Sequence, residues 1–315
     1  MEKIVSMRGG LILLLALIAV SSASWAEDGS RLKLATTTSL YDTKLLDTMD
    51  QKFRDECGVR VDPVSGGTGI AIQYGERGDV DLIIIHDKAR ELKFVKDGQG
   101  LQRRCFAYNY FYIVSPKDDP AGAAGLNATQ AFAKIREEGL KNPDKVKFVS
   151  RGDKSGTHTK EQSLWKGAGF NYSSINNSSN RWYLEAGTGM GATLVMANEK
   201  SAYTLTDMST FMAYKGNLSL VPLIQGGNDL LNVYVAIAVN PDKHLGVSYT
   251  LANKFINFLV SDEGQALIAN FGREKYGQPL FFAARGNCTK IGCSEGECTV
   301  LTNVSCSDAN SATAA

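Results

Sequence analysis

The apolar positions of this chain switch repeatedly between a period of two and a period near 3.6, and each switch marks an element. Residues 31–35 alternate as a strand; Leu45, Leu46, Met49 and Phe53 then recur on one helical stripe that stops at Gly58. Ser39, with Asp42 three residues on, is the expected N-cap of that helix. A strand over 59–64, a glycine-rich turn over 65–69, a short helix over 70–77 and a buried strand over 80–85 complete a βαβαβ order. That order predicts a parallel sheet with its ligand at the carboxyl ends of the strands.

The pattern then restarts. A strand over 145–150 leads to a helix over 156–166, and Gly187-Thr188-Gly189 opens another over 190–197. A strand over 202–205 runs through Thr206 and Asp207 into a further helix. Between the two units, 106–115 and 233–240 read as extended runs, the first rich in aromatics. Two such crossings predict two α/β lobes on a hinge, the first built from 31–110 and 227–286, the second from 111–226.

The junctions carry the chemistry. Ala35-Thr36-Thr37-Thr38-Ser39 and Val149-Ser150-Arg151-Gly152-Asp153-Lys154-Ser155-Gly156-Thr157 each end a strand and open a helix with hydroxyl and glycine residues. Unpaired backbone N–H groups at a helix start, reinforced by the dipole, favour an anion. Arg151 adds a full charge and a fixed fork of donors. A tetrahedral dianion offers acceptors only, so neutral N–H and O–H donors with limited formal charge make a cage that does not grip every phosphate in solution.

Composition narrows the class. With 315 residues, 43% of them hydrophobic, the chain can bury one large core or two modest ones. A net charge of +1, without a local basic run, argues against nucleic acid. Lys3 and Arg8 precede an apolar run over 11–20 and small residues up to Ala26, which reads as a cleaved export leader over 1–26. The mature protein is then expected to be exported, soluble and monomeric. Six cysteines fit an oxidising compartment. Four of them, Cys288, Cys293, Cys298 and Cys306, sit in 287–315 at spacings without paired histidines or a Cys-x2-Cys knuckle, so a small disulfide-stapled appendage is expected rather than a metal site. Connectivity cannot be read from spacing. Asn-x-Ser/Thr sequons at Asn127, Asn171, Asn176, Asn177, Asn217, Asn287 and Asn303 permit glycosylation without requiring it.

Over about residues 32–285 the chain resembles the tungstate-binding proteins of bacterial and archaeal tungstate ABC importers, a branch of the class II periplasmic binding proteins. The resemblance rests on Thr-Thr-Thr-Ser at 36–39, Gly67-Thr68-Gly69, His86-Asp87, Ser150-Arg151-Gly152-Asp153, Ser155-Gly156-Thr157-His158, Gly189-Met190-Gly191 and Tyr203-Thr204-Leu205-Thr206-Asp207. It implies a Venus-flytrap fold that captures tungstate, with molybdate as the alternative, for a membrane permease. It further implies Thr38, Ser39, Thr68, Arg151, Ser155, Gly156 and Thr157 as ligand groups, with no catalytic residue, cofactor or metal. Three features depart from the family: Tyr110 where aspartate is usual, Lys88 after His86-Asp87, and the cysteine-rich tail.

Plainer readings stand beside these. Ser39 or Thr157 alone is an ordinary cap, Arg151-Gly152-Asp153 also spells an adhesion tripeptide, and His86 and His158 lack a catalytic partner at suitable spacing. An exported phosphate- or sulfate-ester enzyme would use the same cage, but no Gly-x-Ser-x-Gly or His-Glu-x-x-His is present. A flytrap sensor or adhesion module is the other alternative, kept open by the tail.

Overall fold

The computed structural model describes residues 30–302 and 304–306. The expected leader over 1–26 and the Asn303 sequon lie outside the described residues.

The first unit runs β1 (Arg31–Thr37), α1 (Thr38–Asp42), α2 (Leu45–Cys57), β2 (Arg60–Gly66), α3 (Thr68–Arg77), β3 (Leu82–Ile85) and α4 (Lys88–Lys96). β2 and β3 lie parallel on either side of β1. The stripe Leu45, Leu46, Met49, Phe53 is buried, and Gly58 ends α2 in the left-handed region at φ +64°, donating to the Arg54 carbonyl. Two local expectations shift. The helix of that stripe, α2, has Lys44 at its cap position, and Ser39 lies inside a separate short helix, α1, whose cap position is Thr37. The turn over 65–69 is divided between the end of β2 and the start of α3.

β4 (Gly100–Ser115) is a 16-residue strand, longer than the aromatic run suggested. After it come α5 (Ala128–Lys141), β5 (Phe148–Ser150), α6 (Gly156–Gly167), α7 (Tyr172–Ile175), β6 (Tyr183–Glu185), α8 (Met190–Glu199), β7 (Tyr203–Asp207), α9 (Met208–Tyr214) and β8 (Val221–Ile224). β9 (Leu231–Val239), α10 (Tyr249–Val260), α11 (Asp262–Asn270), a short helix Arg273–Tyr276 and β10 (Phe282–Ala283) follow.

The path β2-β1-β3-β9-β4-β7-β5-β6 is one ladder because β4 serves both halves. Up to Tyr110 it pairs antiparallel with β9, and from Phe111 with β7. The sheet is therefore mixed rather than parallel: β9 and β4 run against their neighbours, since a chain that leaves one half and returns must cross in both directions. On β3, Leu82 and Ile84 face one apolar cluster while Ile83 and Ile85 face another, so helices cover both faces of the first half. Phe132, Phe148, Trp165, Trp182 and Tyr183 fill a core of the second half.

The cysteine-rich tail is not a separate appendage. Only Cys288–Cys298 closes within it; Cys57–Cys306 and Cys105–Cys293 fasten it to α2 and β4. Arg103 on β4 pairs with the buried Glu91 of α4 at 2.7 Å and with Glu297 of the tail. Burial, only partly offset by Arg103, pushes the Glu91 carboxyl up to about 7. Asn257 of α10 donates to the Leu301 and Val304 carbonyls.

Because Cys105 and Cys293 are 188 residues apart, their bond removes a large loop entropy from the unfolded chain. The double variant Cys105→Ala/Cys293→Ala is expected to lose about 2–4 kcal/mol in urea unfolding, and an unchanged midpoint would contradict this.

Candidate functional site

Helices begin at the carboxyl ends of β1, β2, β3, β5, β6 and β7, among them α1, α3, α6 and α8. Thr37 pairs with Gly66 in the β1–β2 register, so α1 and α3 start side by side. In the other half Ser150 pairs with Glu185, and Gly187 N donates to the Arg151 carbonyl at 3.0 Å, which brings the starts of α6 and α8 together. No side chain caps α1, α3 or α8. Their first N–H groups are left for something else.

The two sets face each other and touch. Arg151, 4% exposed, donates from Nη2 to Thr38 Oγ1 at 3.1 Å and from Nε to the Thr188 carbonyl at 3.3 Å. Its Nε also lies 2.9 Å from an Asp153 carboxylate oxygen. At Gly156 a Cβ would stand 2.9 Å from His86 Cε1 and 3.2 Å from Thr68 Oγ1, so glycine permits the close approach of α6 to α3. His86 Nδ1 lies 2.8 Å from Asn232 Oδ1, and the Asn232 amide donates to Asn109 and Tyr234. His86 therefore carries its proton on Nδ1 and presents Nε2 as an acceptor. Burial holds this imidazole below its ordinary value, against the pull of Asp207.

The hydroxyls of Thr68 and Thr157 are buried and have no hydrogen-bond partner among the described residues. Each sits in the first turn of a helix, one in each half. A native fold rarely leaves buried donors unused without a reason.

Six of the seven residues expected from the sequence lie at these helix starts, and Arg151 lies in the loop between β5 and α6. Thr38 meets Arg151 and Thr68 faces Gly156 across the cleft. Ser39 is buried with its hydroxyl 3.5 Å from that of Thr37, Ser155 caps α6 by accepting from His158 N, and Thr157 follows one position into α6. Sequence reasoning missed Thr188, Asp153 and the ring of His86. Asp153 was visible two residues from Arg151; Thr188 contributes only a carbonyl, which no side-chain pattern reveals. With Arg151 so buried, the adhesion tripeptide is closed to a receptor. Cavities of about 470 and 430 Å³ flank the cleft, the first beside Asp42, Thr210 and Phe271, the second beside His86, Gly156 and Lys160.

The departures noted in the sequence are accounted for locally. Lys88 Nζ donates to the Gly292 carbonyl of the tail at 2.8 Å. Tyr110 packs edge-on against Tyr108 and Phe282, where β4 changes partners.

Two α/β lobes joined by crossing strands, with helix starts opposed across the cleft, define a two-lobed periplasmic binding protein. The PBP superfamily domain matches residues 22–263. The putative ABC transporter anion-binding protein of Haloferax volcanii is 43% identical over 270 residues, 83% of this chain and 75% of its own. The tungstate-binding protein TupA of Peptoclostridium acidaminophilum is 39% identical over 251 residues, 79% of this chain and 84% of its own. A crystal structure of the tungstate ABC transporter from Geobacter sulfurreducens aligns with a TM-score of 0.68 at 45% identity, over 76% of this chain and 98% of that one. The chain belongs to the PBP superfamily and, within it, to the family of tungstate-binding proteins of ABC transporters.

Because the Thr68 hydroxyl lacks a partner, Thr68→Val keeps its shape and removes an unmet donor. The ligand-free variant is expected to unfold about 1 kcal/mol later than wild type in denaturant; a loss of stability would show that the hydroxyl is satisfied.

Proposed function

We propose that this chain captures a tetrahedral oxyanion, tungstate or molybdate, between its lobes and presents it to the permease of an ABC importer. The observation that carries the reading is the pair of unpartnered hydroxyls, Thr68 and Thr157, buried at opposed helix starts around Arg151. Thr38, Ser39, Thr68, Arg151, Ser155, Gly156 and Thr157 form the cage, and the ligand is bound without a cofactor or a chemical step. Relatives named for tungstate or anion binding support this class of ligand. Asp153 offsets much of the Arg151 charge, so selectivity rests on neutral donors and on cavity size, which separates tungstate from the smaller sulfate.

The lobes divide at 31–110 with 227–286 and at 111–226, and the chain closes as a monomer on its ligand. Export follows from the leader over 1–26. Among the described residues no helix is long and apolar enough to cross a membrane. Five sequon asparagines, Asn127, Asn171, Asn176, Asn177 and Asn217, are exposed and open to glycosylation in a host that performs it.

Calorimetric titration with tungstate, molybdate, sulfate and phosphate tests the ligand. Tungstate is expected to bind and, at a hundredfold excess over Kd, to stabilise the fold by about 2.7 kcal/mol, with sulfate weak; a melt unmoved by tungstate would sink the oxyanion reading.

Arg151→Ala is expected to cost about 2–4 kcal/mol of binding, toward the upper end because Asp153 is then left facing a dianion, and Arg151→Lys less. Equal affinity of wild type and Arg151→Ala places the arginine outside the cage. Small-angle scattering should show a smaller radius of gyration with tungstate than without.

A further inference from the structure

The loop that carries Arg151 is irregular, with Gly152 at φ +62° and Lys154 at φ +59°. Lys154 has no glycine's freedom there, so its surroundings must hold it. Gly187 N holds the Arg151 carbonyl and Arg90 the Lys154 carbonyl, and two further links lead to α6. At the start, Ser150 Oγ accepts from Gly152 N at 3.1 Å and donates to Glu161 Oε2 at 2.6 Å. At the end, Lys154 N donates to His158 Nδ1 at 3.0 Å.

Glu161 and His158 lie three residues apart on α6 and are joined beneath the loop. Tyr183 OH donates to Glu161 Oε1 at 2.8 Å, the Tyr183 and Tyr172 hydroxyls are 2.8 Å apart, and Tyr172 OH is 2.7 Å from His158 Nε2. The proton order follows from the ends. Lys154 N–H makes Nδ1 an acceptor, so the neutral ring carries its proton on Nε2 and donates to Tyr172, and the Gln162 amide nitrogen 3.2 Å from Nε2 then makes no hydrogen bond to it. Tyr172 shares its proton between Tyr183 and Glu185 Oε1 at 3.1 Å, and Tyr183 donates to the Glu161 carboxylate, whose Oε1 also accepts from Trp165 Nε1 at 2.9 Å.

We propose that Glu161 and His158, neither of which belongs to the cage, are the positioning residues of Arg151. Linked through Tyr172 and Tyr183, they fix the loop 151–155 and thereby set anion affinity. The inference rests on the oxyanion reading above and adds to it the device that keeps the arginine aimed. Without that chain Arg151 keeps its charge but loses its place, and a fork 1 Å out of register forfeits directional bonds.

His158 also makes the loop sensitive to acid. Protonation turns Nδ1 into a donor facing Lys154 N–H, and the bond is lost. The groups around the ring are Glu185 and Asp153, which raise its pKa, Arg151 and Arg90, which lower it, and the Tyr172 hydroxyl and Gln162 amide. Burial outweighs the rest and holds the imidazole below its ordinary value. The contribution of the neutral ring is therefore complete above the ordinary imidazole range and is lost as pH falls through the lowered value. Glu161, pushed up to about 7 by burial against its three donors, takes up its own proton as the pH falls, and a His158 variant that cannot titrate separates the two.

Amide exchange at Gly152 and Lys154 without anion, and tungstate affinity by calorimetry at pH 8, 6 and 5, test the chain in the full-length protein. Glu161→Gln and His158→Ala are expected to weaken tungstate binding roughly tenfold at pH 8, the equivalent of one net hydrogen bond, and to speed exchange of those amides. His158→Asn, whose Oδ1 stands in for Nδ1 and takes no proton, is expected to bind as wild type does at pH 8 and to lose less affinity than wild type as the pH is lowered. Wild-type affinity and exchange in Glu161→Gln and His158→Ala, or an unaltered acid fall in His158→Asn, would overturn the proposal. A wild type that binds no tungstate ends the functional reading alone, and exchange at Gly152 and Lys154 then decides the chain: faster supports it, unchanged refutes it.

Discussion

A guanidinium buried to 4% exposure must be met from several sides, because a cation withdrawn from water without partners costs several kcal/mol. Arg151 is met by Asp153 from its own loop, by the Thr188 carbonyl from the neighbouring helix start and by Thr38 from the opposite lobe. These contacts hold when the two halves of the chain are together. The glycines beside the cleft, the uncapped helices and the strand that crosses between the halves all serve that meeting.

The same constraint explains why the site is mostly uncharged. Asp153 sits on Arg151, and Asp207, fully buried, is engaged in capping α9 through Thr210 N and the hydroxyls of Ser209 and Thr210. A dianion entering such a place is stabilised by N–H and O–H dipoles already aimed, with little reorganisation. The Thr68 and Thr157 hydroxyls are buried without a partner among the described residues.

Among the described residues, the tail's outward cross-links and side-chain hydrogen bonds go to the first half of the fold. Its two outward disulfides reach α2 and β4, and its polar contacts go to Lys88, Arg103, Arg104 and Asn257. Lys88, which departs from the family pattern, meets the tail, which departs too; the two features are one local arrangement. The described disulfides leave the place where β4 changes partners, between Tyr110 and Phe111, free of a covalent bridge.

The sequence by itself determined the alternation of strand and helix, the two-unit organisation and the small polar junctions between strand ends and helix starts, because periodicity and junction composition are local properties of the chain. Leu45, Leu46, Met49 and Phe53 with Gly58 define α2 without outside help, and Ser150 to Thr157 shows its anion chemistry in eight residues. It did not determine that β4 continues through both halves, that Cys57 and Cys105 reach into the tail, or that Thr188 offers a carbonyl to Arg151. Those depend on contacts between residues tens to hundreds of positions apart. The hydrogen-bond chain beneath the loop is of the same kind: His158 and Glu161 share a helix, but Tyr172 and Tyr183 join them only once β6 has paired with β5 and α7 has folded back against α6. Side-chain spacing records what a residue can donate or accept, and only packing decides which partner it meets.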